Sequence, residues 1–128
     1  MSAAELRTPL KRARGLGSAK DGTHHFVVER LTALALVPLS LCAIYIALSL
    51  MHADYAAARA IVQQPFNAIC LSAFVLAMFW HMQLGLQVVI EDYVHLRWLE
   101  ISSQIAVKFA CAAGALASLL AIVRIALG

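Results

Sequence analysis

The residues best suited to chemistry lie in one short stretch, from Trp80 to Tyr93, which reads WHMQLGLQVVIEDY. This stretch closes an apolar run that begins at Pro65 and is long enough to cross a bilayer as a helix, at about 1.5 Å per residue. His81 then lies about 15 Å from the Glu91 end, near the middle of the membrane. An ionisable side chain at that depth is costly and needs a specific partner.

One face of this predicted helix collects the unusual residues. At about 100° per residue, Gly85, Val88 and Asp92 fall within about 40° of His81. The face therefore carries an imidazole, a position without a side chain, and a carboxylate at the membrane edge. Tyr93 follows one residue later.

The residue types alone leave three interpretations of His81 open. It can be an axial ligand of a haem iron, with Gly85 letting a flat macrocycle approach the backbone. It can belong to a proton relay with Asp92, or it can hydrogen-bond to a neighbouring helix. A six-coordinate haem would take its second ligand from another chain. Tyr93 has two interpretations: a phenol donor to a quinone carbonyl, or an aromatic anchor at the membrane surface.

The composition excludes a soluble domain. Of 128 residues, 62% are hydrophobic and 13% are charged, which is too little charge to cover the apolar surface. We predict an all-α integral membrane protein with three transmembrane helices, at about residues 31–51, 66–90 and 105–127. A tail over residues 1–22 would precede this anchor domain of residues 23–128.

Local signals predict where the helices begin and end. Pro65 suits the first turn of the second helix. Polar loops are predicted over residues 52–64 and 93–103. Ser102 or Ser103 would cap the third helix, which would begin immediately afterwards.

Small residues predict a packing surface on the third helix. Gly114 and Ser118 stand at small-xxx-small spacing, which is typical of a surface where another helix approaches closely. We expect this surface and the His81 face to lack partners in the isolated chain.

Basic residues predict the orientation. Of ten Lys and Arg residues, only Arg59 and Arg124 lie on the side opposite the N-terminus if there are three spans. Cytoplasmic loops carry the excess of Lys and Arg, so the N-terminus would be cytoplasmic and the C-terminus periplasmic. Asp92 and Tyr93 would then lie on the cytoplasmic side. The net charge of +3 is read as this topology signal and not as a sign of nucleic-acid binding.

Two stretches carry a family resemblance: GLGSAKDGTHHFVVERLTALALVPL, before and into the first span, and HMQLGLQVVIEDYVH, which closes the second. The chain resembles the smaller of the two hydrophobic membrane anchors of succinate dehydrogenase (respiratory complex II), in an alphaproteobacterial version. The family pattern is a His, an Arg six residues later, and a His separated by ten residues from an Asp-Tyr pair. It is matched by His24, Arg30, His81, Asp92 and Tyr93.

The resemblance implies a shared haem site. His81 would be one axial ligand of a b-type haem, and the larger cytochrome b anchor subunit would supply the other. His24 and Arg30 would approach the haem propionates, with His25 an equally near candidate for the histidine.

The resemblance also implies a quinone site and a set of partners. Tyr93 would hydrogen-bond ubiquinone, assisted by Asp92. The chain would form half of a two-subunit helical anchor in a bacterial inner membrane, with an iron–sulfur subunit and a flavoprotein subunit as soluble partners. It would have no active site alone and would help to pass electrons from succinate oxidation to the quinone pool. The alternatives are a fumarate reductase anchor, or a purely structural three-helix subunit without a cofactor.

Overall fold

Residues 22–128 form four helices in the computed structural model, which describes residues 8–10 and 22–128. They are α1 (Gly22–Met51), α2 (Tyr55–Gln63), α3 (Pro65–Tyr93) and α4 (Arg97–Leu127). By length and composition, α1, α3 and α4 can each cross a membrane. The three-span, all-α prediction is therefore confirmed. Most of the predicted tail, over residues 1–22, lies outside the described residues.

The starts of α3 and α4 follow local chemistry, but only that of α3 was predicted correctly. Pro65 occupies the first turn of α3, as expected, because that position needs no backbone N–H donor. The predicted start of α4 after Ser102 or Ser103 is wrong, since α4 already begins at Arg97. Ser102 lies inside the helix, where its hydroxyl donates to the Trp98 carbonyl at 2.7 Å.

The predicted loop over residues 52–64 is also wrong for most of its length, because it contains α2. Asp54 caps this helix: its Oδ1 accepts from the Ala57 N–H at 2.8 Å. The sequence YAAARAIVQ is rich in alanine, the strongest helix former. Asn67 then donates from Nδ2 to the Ile61 carbonyl at 2.8 Å, which fixes the end of α2 against the start of α3.

The three long helices are arranged with α3 in the middle. It packs along both α1 and α4, whereas no Cα atom of α1 comes within 8 Å of a Cα atom of α4. Among the described residues only Ile46, Leu84 and Cys111 are buried, one from each long helix. Most of the apolar surface therefore faces outward, where lipid or another protein chain can cover it.

The contact between α3 and α4 uses the predicted small-residue surface. A Cβ atom placed on Gly114 would lie 2.6 Å from Cε1 and 2.8 Å from Cζ of the Phe79 ring. The ring therefore lies directly against the α4 backbone. The prediction of a close helix contact is confirmed at Gly114. The expectation that this position lacks a partner within the chain is wrong, because the glycine makes room for a ring of the preceding span.

Candidate functional site

His81 on α3 meets a hydroxyl of α1. Its Nδ1 lies 3.0 Å from Oγ1 of Thr32, a residue 49 positions earlier. The same hydroxyl donates to the Glu29 carbonyl at 2.9 Å. Because α1 and α3 run in opposite directions, the beginning of α1 lies beside the last turns of α3. A hydrogen bond from His81 to a neighbouring helix is therefore present, and it occupies one of the two ring nitrogens.

The second ring nitrogen of His81 remains accessible. No described residue hydrogen-bonds to its Nε2, and this atom is not sealed in the interior. In the described part of the chain, one side-chain N or O atom is both enclosed and unpaired, and this atom is His25 Nε2. The unpaired Nε2 of His81 is therefore not enclosed. An imidazole with one nitrogen engaged and the other open is the arrangement that metal-ligating histidines adopt.

Gly85 leaves open space on the same face of α3 as His81. A Cβ atom placed on Gly85 would meet nothing within 4 Å. Gly85 lies one turn from His81 and within about 40° of it around the helix. A flat group could therefore approach the backbone here, so the donor and the space both fit a haem. In the described part of the chain, no three His, Cys, Asp or Glu side chains converge to hold a metal ion.

Counts along α3 and along α1 give different depths for His81. Counted along α3 from Glu91, the imidazole lies about 15 Å into the apolar run. Thr32, at the same level, is only the second residue of the apolar stretch of α1. Thr32 therefore lies only about 3 Å along the axis of α1 from Arg30, the last charged residue before the apolar stretch. The charged beginning of α1 therefore runs alongside the last turns of α3. Counted along α1, His81 therefore lies nearer the charged end of the bundle than when it is counted along α3.

The other predicted haem residues lie on the first turns of α1. His24 and Arg30 are both exposed, and the Arg30 guanidinium lies 5.2 Å from the centre of the Phe26 ring. His25 is half-buried and lies within about 20° of Thr32 around the helix, whereas His24 is about 80° away. Of the two neighbouring histidines, His25 therefore shares the face that turns towards α3.

Asp92 and Tyr93 lie at the C-terminal end of α3 and are exposed, Tyr93 by 79%. Neither side chain hydrogen-bonds to a described residue. The preceding carboxylate, Glu91, is engaged, since its Oε1 accepts from Gln87 at 2.9 Å and from Gln104 at 3.5 Å. The phenol of Tyr93 is therefore available to a group outside the chain, and its two interpretations both remain.

A direct proton transfer between His81 and Asp92 is excluded by distance. The two residues are separated by about 16 Å along the helix axis, far beyond hydrogen-bond length. Gly85 and Val88, which lie between them on the same face, carry no polar side chain. A relay along this face would need groups that these residues do not supply.

Comparison with known proteins identifies the family. The chain matches the family model of the succinate dehydrogenase/fumarate reductase transmembrane subunit over residues 4–122. The chain belongs to this family.

Similar proteins include succinate dehydrogenase hydrophobic membrane anchor subunits from three bacteria. The subunit from Rickettsia bellii (strain RML369-C) is 38% identical over 81% of this chain and 83% of its own length. That from Rickettsia conorii (strain ATCC VR-613 / Malish 7) is 32% identical over 84% and 86%. That from Paracoccus denitrificans is 31% identical over 67% of each chain. No solved structure matches.

Thr32 is the residue of this transmembrane subunit that sequence reasoning missed. Its only signal was a hydroxyl within an apolar stretch. Hydroxyls in membrane helices commonly bond to a carbonyl one turn earlier, and Thr32 does so with Glu29. The contact with His81 depends on how two helices pack, which no local pattern reports.

Proposed function

We propose that this transmembrane subunit is the smaller of the two hydrophobic anchors of a bacterial succinate dehydrogenase. It would hold a b-type haem together with a larger cytochrome b subunit and contribute to the ubiquinone-reduction site. The observation that carries this proposal is His81, with Nδ1 bound to Thr32 and Nε2 accessible, on the face of α3 that Gly85 leaves open. The family also includes fumarate reductase subunits, but the similar proteins named above are all succinate dehydrogenase anchors.

The haem proposal assigns separate tasks to residues of this chain. His81 would supply one nitrogen ligand to the haem iron, and the partner subunit would supply another. Arg30 and His24, or His25 in its place, would lie towards the propionates, because cationic donors form the strongest hydrogen bonds with carboxylates. Of the two histidines, His25 has an enclosed Nε2 without a hydrogen-bond partner, and a buried polar atom of this kind normally has one. When bound, the haem supplies one-electron transfer, and the protein supplies ligands and a low-dielectric setting.

The quinone proposal rests on Tyr93 and Asp92. Tyr93 lies about 18 Å along the axis from His81, towards the end of the bundle that carries most of the basic residues. Its phenol can donate to a quinone carbonyl, and the adjacent carboxylate of Asp92 can orient it. The long apolar tail of ubiquinone would lie against the outward-facing apolar surface.

Surface and charge support the proposed assembly and orientation. The exposed apolar surface of α1, α3 and α4 supports contact with lipid and with a second membrane subunit. The basic asymmetry supports a cytoplasmic N-terminus and a periplasmic C-terminus in the inner membrane. The iron–sulfur and flavoprotein subunits would then bind on the cytoplasmic side, close to Tyr93.

The haem ligand is tested by replacing His81 in the assembled, purified complex. His81→Ala removes the nitrogen donor, so we expect b-haem absorbance to be lost or to change to a five-coordinate, high-spin form. His52→Ala is the matched control, since His52 is exposed directly after the C-terminal end of α1, far from His81. An unchanged low-spin spectrum in His81→Ala would assign the ligand elsewhere and favour the purely structural alternative.

A further inference from the structure

The contact between His81 and Thr32 determines which ring nitrogen of His81 carries the hydrogen. The Thr32 oxygen lies within hydrogen-bond distance of two groups, the Glu29 carbonyl at 2.9 Å and the His81 Nδ1 at 3.0 Å. A threonine hydroxyl carries one hydrogen and can also accept. A carbonyl oxygen can only accept, so its hydrogen bond must use the hydroxyl hydrogen.

Only one arrangement satisfies both contacts. The hydroxyl donates to the carbonyl of Glu29, and it accepts from an N–H on Nδ1 of His81. A neutral imidazole carries one N–H, so Nε2 is left with its lone pair. The lone pair therefore lies on the same nitrogen that is accessible and that has no partner among the described residues.

We propose that Thr32 is a positioning residue that holds His81 in the Nδ1–H form and directs Nε2 towards the haem iron. This inference rests on the haem ligation proposed above and deepens it. Two consecutive hydrogen bonds, from Nδ1–H to the Thr32 hydroxyl and from this hydroxyl to the Glu29 carbonyl, fix the orientation of the ring. Carboxylate or carbonyl partners do the same for other metal-binding histidines. It also makes the imidazole a stronger electron donor, which favours the oxidised iron.

The helix backbone makes this arrangement possible. A threonine that bonds back to the preceding turn has its hydroxyl hydrogen already committed. Its oxygen therefore presents lone pairs to the neighbouring helix and acts there as an acceptor. A serine can do the same, whereas valine has the shape of threonine without the oxygen.

The experiment compares Thr32→Val with Thr32→Ser in the purified complex, produced under limiting haem supply. The readouts are haem per complex, the low-spin electron paramagnetic resonance signal, and the midpoint potential of the haem. In Thr32→Val we expect about tenfold weaker haem retention, in line with the 10- to 100-fold cost of losing such partners. Haem that remains should show a raised midpoint potential and an altered low-spin signal. Thr32→Ser should resemble the wild type.

The matched control is Ser49→Ala. Ser49 makes the same kind of bond to the preceding turn, to the Tyr45 carbonyl at 3.0 Å, but no described side chain receives a second contact from it. Its loss should leave all three readouts unchanged. Should Thr32→Val not assemble, Thr32→Ala removes the acceptor without adding bulk and is compared with Thr32→Ser in its place.

The outcomes separate the two proposals. Wild-type retention, signal and potential in the variant without the hydroxyl would overturn the role of Thr32, even when His81→Ala loses the haem. A serine variant as defective as the valine or alanine variant would overturn it as well. An unchanged haem in His81→Ala would overturn both proposals.

Discussion

Two glycines on neighbouring helices have opposite surroundings. Gly114 on α4 is filled from within the chain, because the Phe79 ring occupies the place of its missing side chain. Gly85 on α3 is open, with nothing within 4 Å of the position where a Cβ would lie. Phe79 and His81 are two residues apart on α3, so they point to nearly opposite sides of that helix. One side of α3 therefore packs closely against α4, and the other, which meets α1 at His81, is left open at Gly85.

The two sides also differ in the kind of contact they make. Towards α4, α3 uses a ring against a glycine, which is the packing that holds membrane helices together without a hydrophobic driving force. Towards α1, it uses a hydrogen bond between His81 and Thr32. Such a bond in a membrane is worth only about 0.6 kcal/mol on average, so stability alone does not account for an ionisable residue there. Changes on the first side should affect assembly, and changes on the second should affect chemistry.

The largest expected effect on assembly is that of Gly114→Ala. The added methyl group would overlap the Phe79 ring, and overpacking of this kind costs about 1–3 kcal/mol. A groove of about 150 Å³, lined in part by Phe79 and Cys111, gives the ring some room to turn. We therefore expect the lower half of that range. The measurement is the thermal unfolding midpoint and yield of the complex purified with its partner subunits.

The partner of Gly114 can be identified by rescue. Phe79→Leu removes the ring atoms that the new methyl group would meet, so the double variant should recover much of the loss. The coupling between the two sites should reach at least about 0.5 kcal/mol. If Gly114→Ala left the unfolding midpoint unchanged, or if the losses of stability in the two single variants added up in the double variant, the contact between Gly114 and Phe79 would not limit the packing.

An effect of about tenfold on activity is expected for Tyr93→Phe, with little effect on assembly. The change keeps the ring and removes only the donor, and an unpaired buried acceptor costs about 1–3 kcal/mol. Ubiquinone reduction should fall, while succinate oxidation with an artificial acceptor at the soluble subunits continues. Tyr55→Phe is the matched control, because Tyr55 is equally exposed at the opposite end of the bundle. Wild-type ubiquinone reduction in Tyr93→Phe would make this residue an interfacial anchor only.

The smallest effect is expected for Gly85→Ala. The methyl group meets no atom of this chain, so the yield of assembled complex should stay closer to the wild type than in Gly114→Ala. A haem lying against this backbone would be displaced slightly, which should shift its absorbance bands. Loss of assembly as large as in Gly114→Ala, with unchanged bands in the remaining complex, would remove the distinction between the two glycines.

The main architecture could be read from the amino-acid sequence alone. Three apolar stretches of sufficient length decide that three helices span the membrane, because an unpaired backbone group in lipid is too costly. The sequence also singled out His81, since an ionisable residue among apolar ones must have a reason. The start of α3 at Pro65 was equally readable, because it depends on one residue and its own backbone.

Helix ends were predicted less well where hydropathy was the only guide. α4 begins at Arg97 although its first turns are mixed in polarity, and α2 occupies a segment predicted as a loop. Both had local signals: Glu100 in the first turn of α4 favours the helix dipole, and the alanines of α2 favour a helix. These local signals are weaker than a long apolar run, so the prediction placed the helices by hydropathy alone.

Which side chains meet became clear only from the packing of the helices. The small-residue spacing placed Gly114 on a packing surface but could not name Phe79, and nothing along the chain indicated that Thr32 belongs to His81. Such pairs depend on the rotation and relative depth of two helices. Those quantities are set by the packing of whole surfaces, and no periodicity within one helix encodes them. For that reason the proton arrangement at His81 follows from a residue 49 positions away in the chain.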